Sequence, residues 1–231
     1  MSHSTAALLH GMPVPWRLEA ASELHLTVPA PSRAPHAAHI RGHRSSAPVH
    51  VVTIDGVRVS DAARTWCDLA TQLRHEDLIA VGDFLIHWRH PIVSPADLLD
   101  AVLSATNRRG KARLARALPS LDGRSESAQE SRLRVLLLGQ GFTNFTINRH
   151  VEDSFGEFVA RTDVHLTSLG IILEYMGDYH RTTPGQWRAD MTRRSKIEAT
   201  GKRVMELNAD DLRDPAELSR RIWALAALVP H

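Results

Sequence analysis

Hydrophobic positions follow two periods along this chain, and the change from one to the other outlines its elements. Near the start, Thr5 to Leu9 has helical spacing and ends at Gly11 before Pro13 and Pro15, whereas Leu24 to Val28 alternates as a half-buried strand does. Pro29 to Pro48, rich in Pro, Ser, Arg and His, reads as loop or irregular strand. Val49 to Thr53 and Val57 to Val59 form a strand pair across Asp55-Gly56, a dipeptide that supplies the positive φ angles of a tight hairpin turn. The period then becomes helical. Ser60-Asp61 can cap a helix over Ala62 to Gln72, with Trp66, Leu69 and Ala70 on one side, and further helices run from His75 to His87, from Ser94-Pro95 to about Ser104, and from Lys111 to Leu118.

Pro119 to Ser125 concentrates Pro, Gly and small polar residues just before a new helix signature, which makes it the best domain boundary. Ser127 and Glu130 have capping-box spacing, and Leu133, Leu136 and Leu137 continue as an apolar stripe to Gly139 or Gly141. Strands are expected over Phe145 to Asn148, Phe155 to Asp163 and Gly170 to Met176. A helix follows from Pro184 or Gln186 to Thr200, closed by Gly201, then a strand over Arg203 to Leu207 and a helix from Pro215 to Leu228. The resulting fold class is α/β: residues 125–231 as a mixed sheet flanked by helices, preceded over residues 1–118 by a smaller, mainly helical α+β domain.

The 231 residues are 43% hydrophobic and 23% charged, which excludes a disordered or collagen-like chain. One cysteine, Cys67, excludes an internal disulfide and an all-cysteine zinc site, and suits a reducing compartment. The sequence contains no membrane-spanning run and no signal-peptide pattern at its start, so a cytoplasmic location with no membrane partner is the expectation. A net charge of +2 is too small to announce a nucleic-acid partner by itself. Only Lys111, Lys196 and Lys202 are lysines, and the arginine bias also follows from GC-rich coding. Neither a phosphate-binding glycine loop nor a His-Glu-x-x-His zinc motif occurs.

The residues with the most chemical content lie in the second half. If the strands holding Asp163 and Glu174 pair antiparallel, the two carboxylates approach one another and can share a hard cation such as Mg²⁺. Glu174 sits among Ile, Leu and Tyr, where an unpaired charge would be costly, and the plainer alternative is that it reaches solvent or an arginine at a strand end. Asp178 and His180 follow the turn at Gly177. The imidazole could orient or deprotonate water, or both could be ordinary loop residues. Asp190 lies three and four residues before Arg193 and Arg194, so the group is either an intrahelical ion pair or a phosphate contact held in place by the aspartate.

Taken together, Ser125 to Arg134, Arg161-Thr-Asp163, Leu173 to Arg181, Asp190-x-x-Arg193 and Gly201 to Val204 resemble an uncharacterised actinobacterial family of the PD-(D/E)XK nuclease superfamily, similar to the very short patch repair endonucleases. The resemblance covers about Ser125 to Leu228. It implies a restriction-endonuclease-like core that hydrolyses DNA with Mg²⁺ or Mn²⁺, with a homodimer as the arrangement that cuts both strands. Asp163 then matches the metal-binding aspartate and Glu174 the second metal acid. Glu130 matches the helix acid and His180 the histidine after the turn, Asp190 and Asp178 are supporting acids, and Arg193, Arg194 and Arg181 meet the DNA. For Glu130 the capping-box role stands beside the catalytic one.

Members of that family read Glu-x-Asp-Gly where this chain reads Glu174-Tyr175-Met176-Gly177. A thioether is a poor Mg²⁺ ligand and no general base, so the change weakens the expected activity. His165, where the related sequences have a small or apolar residue, is a milder departure. In the first half, Val57 to Ala70 resembles a segment of abortive-infection type antitoxin proteins, and Ser2 to Pro15 looks like the tail of a winged helix. That likeness implies a noncatalytic DNA-binding regulator as the alternative function, with most of the DNA-reading module missing through loss or a misplaced start. Arg64 and Asp68, four apart on one helix, are expected to form an ion pair.

Overall fold

The computed structural model describes residues 1–104, 109–176 and 184–228, and the chain divides into two compact units, Met1–Ser131 and Arg132–His231. The architecture is α/β. Among the described residues no helix is long and apolar enough to cross a membrane.

The first unit opens with helices α1 (His3–Leu9) and α2 (Trp16–Glu19), followed by strands β1 (Leu24–Pro29), β2 (His36–Ala37) and β3 (Ile40–Ser45). Strands β1 and β3 are parallel neighbours, with Leu24 opposite Ile40 and His25 opposite Arg41, and β2 lies antiparallel on the other edge of β3. Part of the stretch expected to be loop or irregular strand is therefore a fully paired six-residue strand. Its sequence, Ile-Arg-Gly-His-Arg-Ser, has no apolar alternation because the pairing with β1 rather than a buried face holds it. Gly42 is required there: a Cβ would come 2.0 Å from the Pro35 carbonyl oxygen.

Strands β4 (Val51–Ile54) and β5 (Val57–Ser60) form the expected hairpin, with Asp55 and Gly56 at φ 49° and 79°. Asp61 caps α3 (Ala62–Leu69) by accepting the Arg64 amide at 2.7 Å. Helices α4 (His75–Leu85), α5 (Pro95–Ser104) and α6 (Lys111–Ala117) complete the core of this unit. Trp66, Leu69, Leu78, Leu98 and Leu114 are fully buried in it, each worth about 1.5–3 kcal/mol of transfer free energy. The Trp66 indole N–H is not lost on burial, since it donates to the Leu78 carbonyl at 2.9 Å.

Helix α7 (Ala128–Gly139) leads into the second unit, which continues with β6 (Thr146–Glu152), β7 (Phe158–Leu166), β8 (Ile171–Tyr175), α8 (Pro184–Ala199), β9 (Arg203–Leu207) and α9 (Pro215–Ala226). Its sheet is mixed, in the order β6-β7-β8-β9, antiparallel at the first two junctions and parallel at the last. The crossover from β8 to β9 runs through α8. Leu173 joins Leu133 and Leu137 of α7 and Leu218 and Ile222 of α9 in one cluster, whereas its neighbour Ile172 packs with Val204 and Ile197 of α8. Successive strand residues point to opposite faces, so α7 and α9 cover one side of the sheet and α8 the other.

Strand β7 begins and ends three residues later than expected, so Asp163 lies within the strand and does not close it. Phe155 is 89% exposed in the preceding turn, and Val164 and Leu166 continue the buried alternation past Asp163. Strand β6 likewise runs four residues beyond Asn148 to Glu152.

Candidate functional site

The antiparallel register of β7 and β8 pairs Val164 with Leu173, which brings Asp163 opposite Glu174 one step further on. Directly opposed residues share a face, with Cβ atoms about 4.5–5.5 Å apart. The Asp163 carboxylate also accepts the Tyr175 amide at 2.8 Å, which fixes it beside the backbone that carries Glu174. On the other side, parallel pairing with β9 puts Glu206 beside Glu174. Asp163, Glu174 and Glu206 thus form a row across three strands.

Helix α8 lies on the same face and answers this row with arginines. Both carboxylate oxygens of Glu174 accept from the Arg193 guanidinium, one of them at 2.7 Å, and Arg193 also donates to the Arg161 carbonyl. Arg194 reaches Glu206 at 3.4 Å and Glu198 at 3.1 Å. Glu174 is buried, so the bidentate guanidinium supplies the counter-charge that a carboxylate requires away from water. The Arg193 partner is therefore a strand residue rather than Asp190, one helical turn earlier. The alternative that Glu174 meets an arginine describes this arrangement, and Asp163 remains its cross-strand neighbour.

Glu130 belongs to the first unit and serves the start of α7: its amide donates to Ser127 Oγ at 3.1 Å, and its carboxylate accepts the Glu126 amide at 2.9 Å. His180, Asp178 and Arg181 lie outside the described residues. Arg64 and Asp68 form the expected ion pair at 3.0 Å.

A second group of chemistry-bearing side chains, not signalled by any sequence motif, lies in the first unit. His3, His25 and His43 each offer one ring nitrogen within 4.8 Å of the others, a spacing at which a single metal ion can be shared. Parallel pairing puts His43 opposite Thr27, two positions along from His25, so both histidines are on one face. The Ser2 amide donates to the His25 carbonyl at 2.9 Å, and the His25 amide to Thr5 Oγ1 at 2.8 Å, which brings the start of α1 and His3 against them. His25 Nδ1 and His43 Nε2 are 3.0 Å apart. Asp68 Oδ2 lies 3.9 Å from His3 Nδ1. Burial lowers the pKa of both His25 and His43 and so favours the neutral imidazole, the form that binds metals. The sequence holds fourteen histidines, but the pairing of β1 with β3 and the anchoring of α1 select these three.

No family model matches this chain. Over 170 residues it is 27% identical to the uncharacterized protein Rv2248 of Mycobacterium tuberculosis (strain ATCC 25618 / H37Rv), and the same figures hold for the uncharacterized protein MT2308 of strain CDC 1551 / Oshkosh. That alignment takes in 73% of this chain and 62% of either relative, so the chain spans less than two thirds of the length of the curated proteins it matches.

Proposed function

We propose that the second unit is a divalent-metal-dependent endonuclease domain that hydrolyses DNA phosphodiester bonds. The observation that carries this reading is the cross-strand juxtaposition of Asp163 and Glu174 on a mixed sheet flanked by helices, the kind of core that the nuclease resemblance implies. Two carboxylates are the hard oxygen donors that Mg²⁺ or Mn²⁺ prefers, so the donor set fits the ion by type. When bound there, the ion supplies Lewis acidity to a phosphate oxygen and offsets its charge. Arg193 and the cation then compete for Glu174, and a guanidinium released from the carboxylate is free to meet a phosphate. Arg188, Arg194 and Lys196 on the same helix add positive charge against Asp190 and Glu198. In the hydrolysis itself a water oxygen bonds to phosphorus as the phosphorus–oxygen bond to one sugar breaks. The attacking water loses a proton and the departing sugar oxygen gains one. In this reading Asp163 accepts the first of these protons, a role supported by its partial exposure and its orientation by the Tyr175 amide.

The test is Mg²⁺- or Mn²⁺-dependent cleavage of duplex, mismatched and single-stranded DNA by the wild-type chain, D163A and E174A. Cleavage abolished by each substitution supports the assignment. No cleavage by the wild type, or cleavage that survives both substitutions, rejects it. The second reading, a noncatalytic DNA-binding regulator on a nuclease-like scaffold, is favoured by the double occupation of Glu174 by Arg193 and by Met176 in place of the family acid. Binding without turnover in a gel shift, with affinity falling steeply as salt rises, would identify that case.

A further inference from the structure

The histidine group in the first unit has a donor chemistry different from that of the strand acids, and among the described residues it is the one place where three metal-ligating side chains converge. We propose that His3, His25 and His43 bind one transition ion of the Zn²⁺ class, with an open coordination position that faces the adjoining cavity and accepts water or a small oxyanion.

Four observations carry the assignment. First, Zn–N bonds of 2.0–2.1 Å in tetrahedral array put ligand nitrogens about 3.3 Å apart and imidazole centroids about 5 Å apart. The His25 and His43 nitrogens are 3.0 Å apart, and the His25–His43 and His3–His25 centroids are 5.1 and 5.4 Å apart. The His3 and His43 rings stack at 3.7 Å, so His3 is the ring that must turn on binding. Second, the ligands come from three elements tied together by backbone hydrogen bonds: β1 and β3 by their ladder, and the α1 start by the Ser2 to His25 bond. Most of the ordering cost is thus met by the fold. Third, His3 holds a left-handed backbone, φ 50°, at the first residue of α1, an unfavourable state for a residue with a Cβ and one that clusters at functional sites. Fourth, His3 Nδ1 is hydrogen-bonded to Ser2 Oγ at 3.1 Å, and buried Asp68, held by Arg64, lies 3.9 Å from the same nitrogen, close enough for its charge to favour an N–H there once the ring turns toward a metal.

Three nitrogen donors select Zn²⁺, Co²⁺, Ni²⁺ or Cu²⁺ over Mg²⁺. The three histidines line a cavity of about 700 Å³ whose wall also holds Arg17, Arg41 and Arg109 against Glu23 and Asp68, with Arg41 paired to Glu23, so the arginines outnumber the acids by one where a ligand would enter. Three protein ligands with one open position is the composition of a reactive metal site, as distinct from a closed structural one.

The experiment uses the untagged full chain, stripped of metal and titrated with Co²⁺ and then Zn²⁺. The expected result is one equivalent bound, with visible d–d bands typical of four-coordinate Co²⁺ that Zn²⁺ removes and excess Mg²⁺ leaves unchanged. Azide or inorganic phosphate should shift the bands, and failure to do so would overturn the open position. H25A and H43Q, checked for folding by circular dichroism, should lose about 100-fold or more in affinity, D68N about tenfold, and H87A/H90A nothing. Absence of the bands in folded wild-type protein, or unaltered affinity in folded H25A and H43Q, would overturn the site. D163A and E174A should bind Zn²⁺ as the wild type does, so this outcome is independent of the nuclease reading.

Discussion

Replacing Arg193 by alanine removes the bidentate partner of a buried carboxylate, and the structure sets the size of the effect. Glu174 has 11% of its side chain exposed and Arg193 39%. Breaking a fully buried ion pair by removing one partner costs about 3–5 kcal/mol, mainly because the remaining charge is left without compensation. Arg193 is more than a third exposed, so solvent already screens part of the interaction, and water can enter the space it vacates. The discounted loss is about 2–3 kcal/mol, including the hydrogen bond to the Arg161 carbonyl. The nature of the cost fixes a second expectation. In an E174Q background no buried charge remains, so R193A should cost only about 1 kcal/mol, the net worth of ordinary hydrogen bonds. Urea denaturation of the four proteins of this cycle, at neutral pH and without divalent ions, gives both numbers and a coupling of about 1–2 kcal/mol. Added Mn²⁺ should then raise the stability of R193A more than that of the wild type, because the cation no longer competes with a guanidinium for Glu174. An R193A protein within about 0.5 kcal/mol of wild type, or strictly additive single effects, would refute the claim that Arg193 neutralises Glu174.

In G42A the added Cβ would meet the Pro35 carbonyl oxygen at 2.0 Å, so β3 must shift; the expected loss is about 1–3 kcal/mol in urea denaturation, with weakened Zn²⁺ binding by the adjacent His43. Burial lowers the pKa of His165 and of His75, with Lys202 and Arg116 respectively adding to the effect. Below about pH 6.5 the unfolded chain therefore takes up protons that the folded chain refuses. Thermal stability should be fully present above that pH and fall as acid is added, and H165Q should flatten the decline; a midpoint that rises between pH 7 and 5.5 would contradict it.

Local signals were legible wherever one residue type performs a local backbone task. Asp55-Gly56 makes the hairpin because its turn needs two positive φ values, Asp61 caps α3 through its own side chain, and Gly201 at φ 81° ends α8. Strand β3 was not legible, since its apolar pattern is absent and its partner β1 lies sixteen positions earlier in register. The displaced limits of β7 have a related cause. Phe155 looks like a strand residue by type, but Asp153 accepts the amides of Phe155 and Glu157 and forms a turn there instead.

The candidate sites divide in the same way. Asp163 and Glu174 lie eleven positions apart, and a hairpin of that length can be inferred from sequence, so their proximity was within reach. The partner of Arg193 was not. Spacing offers Asp190, three residues earlier, and for an isolated helix that exposed pair is the available choice, at about 0.2–0.5 kcal/mol. In the folded unit a buried carboxylate with no water to solvate it gains far more from the same guanidinium, so the tertiary partner wins. The histidine group lies at the far end of this scale: His3, His25 and His43 have no helical or strand spacing in common, and only a parallel ladder and the anchoring of α1 convert them into one donor set. Chemistry assembled within one hairpin leaves a trace in residue spacing, whereas chemistry assembled by parallel pairing appears only after the chain has closed a loop that the spacing does not encode.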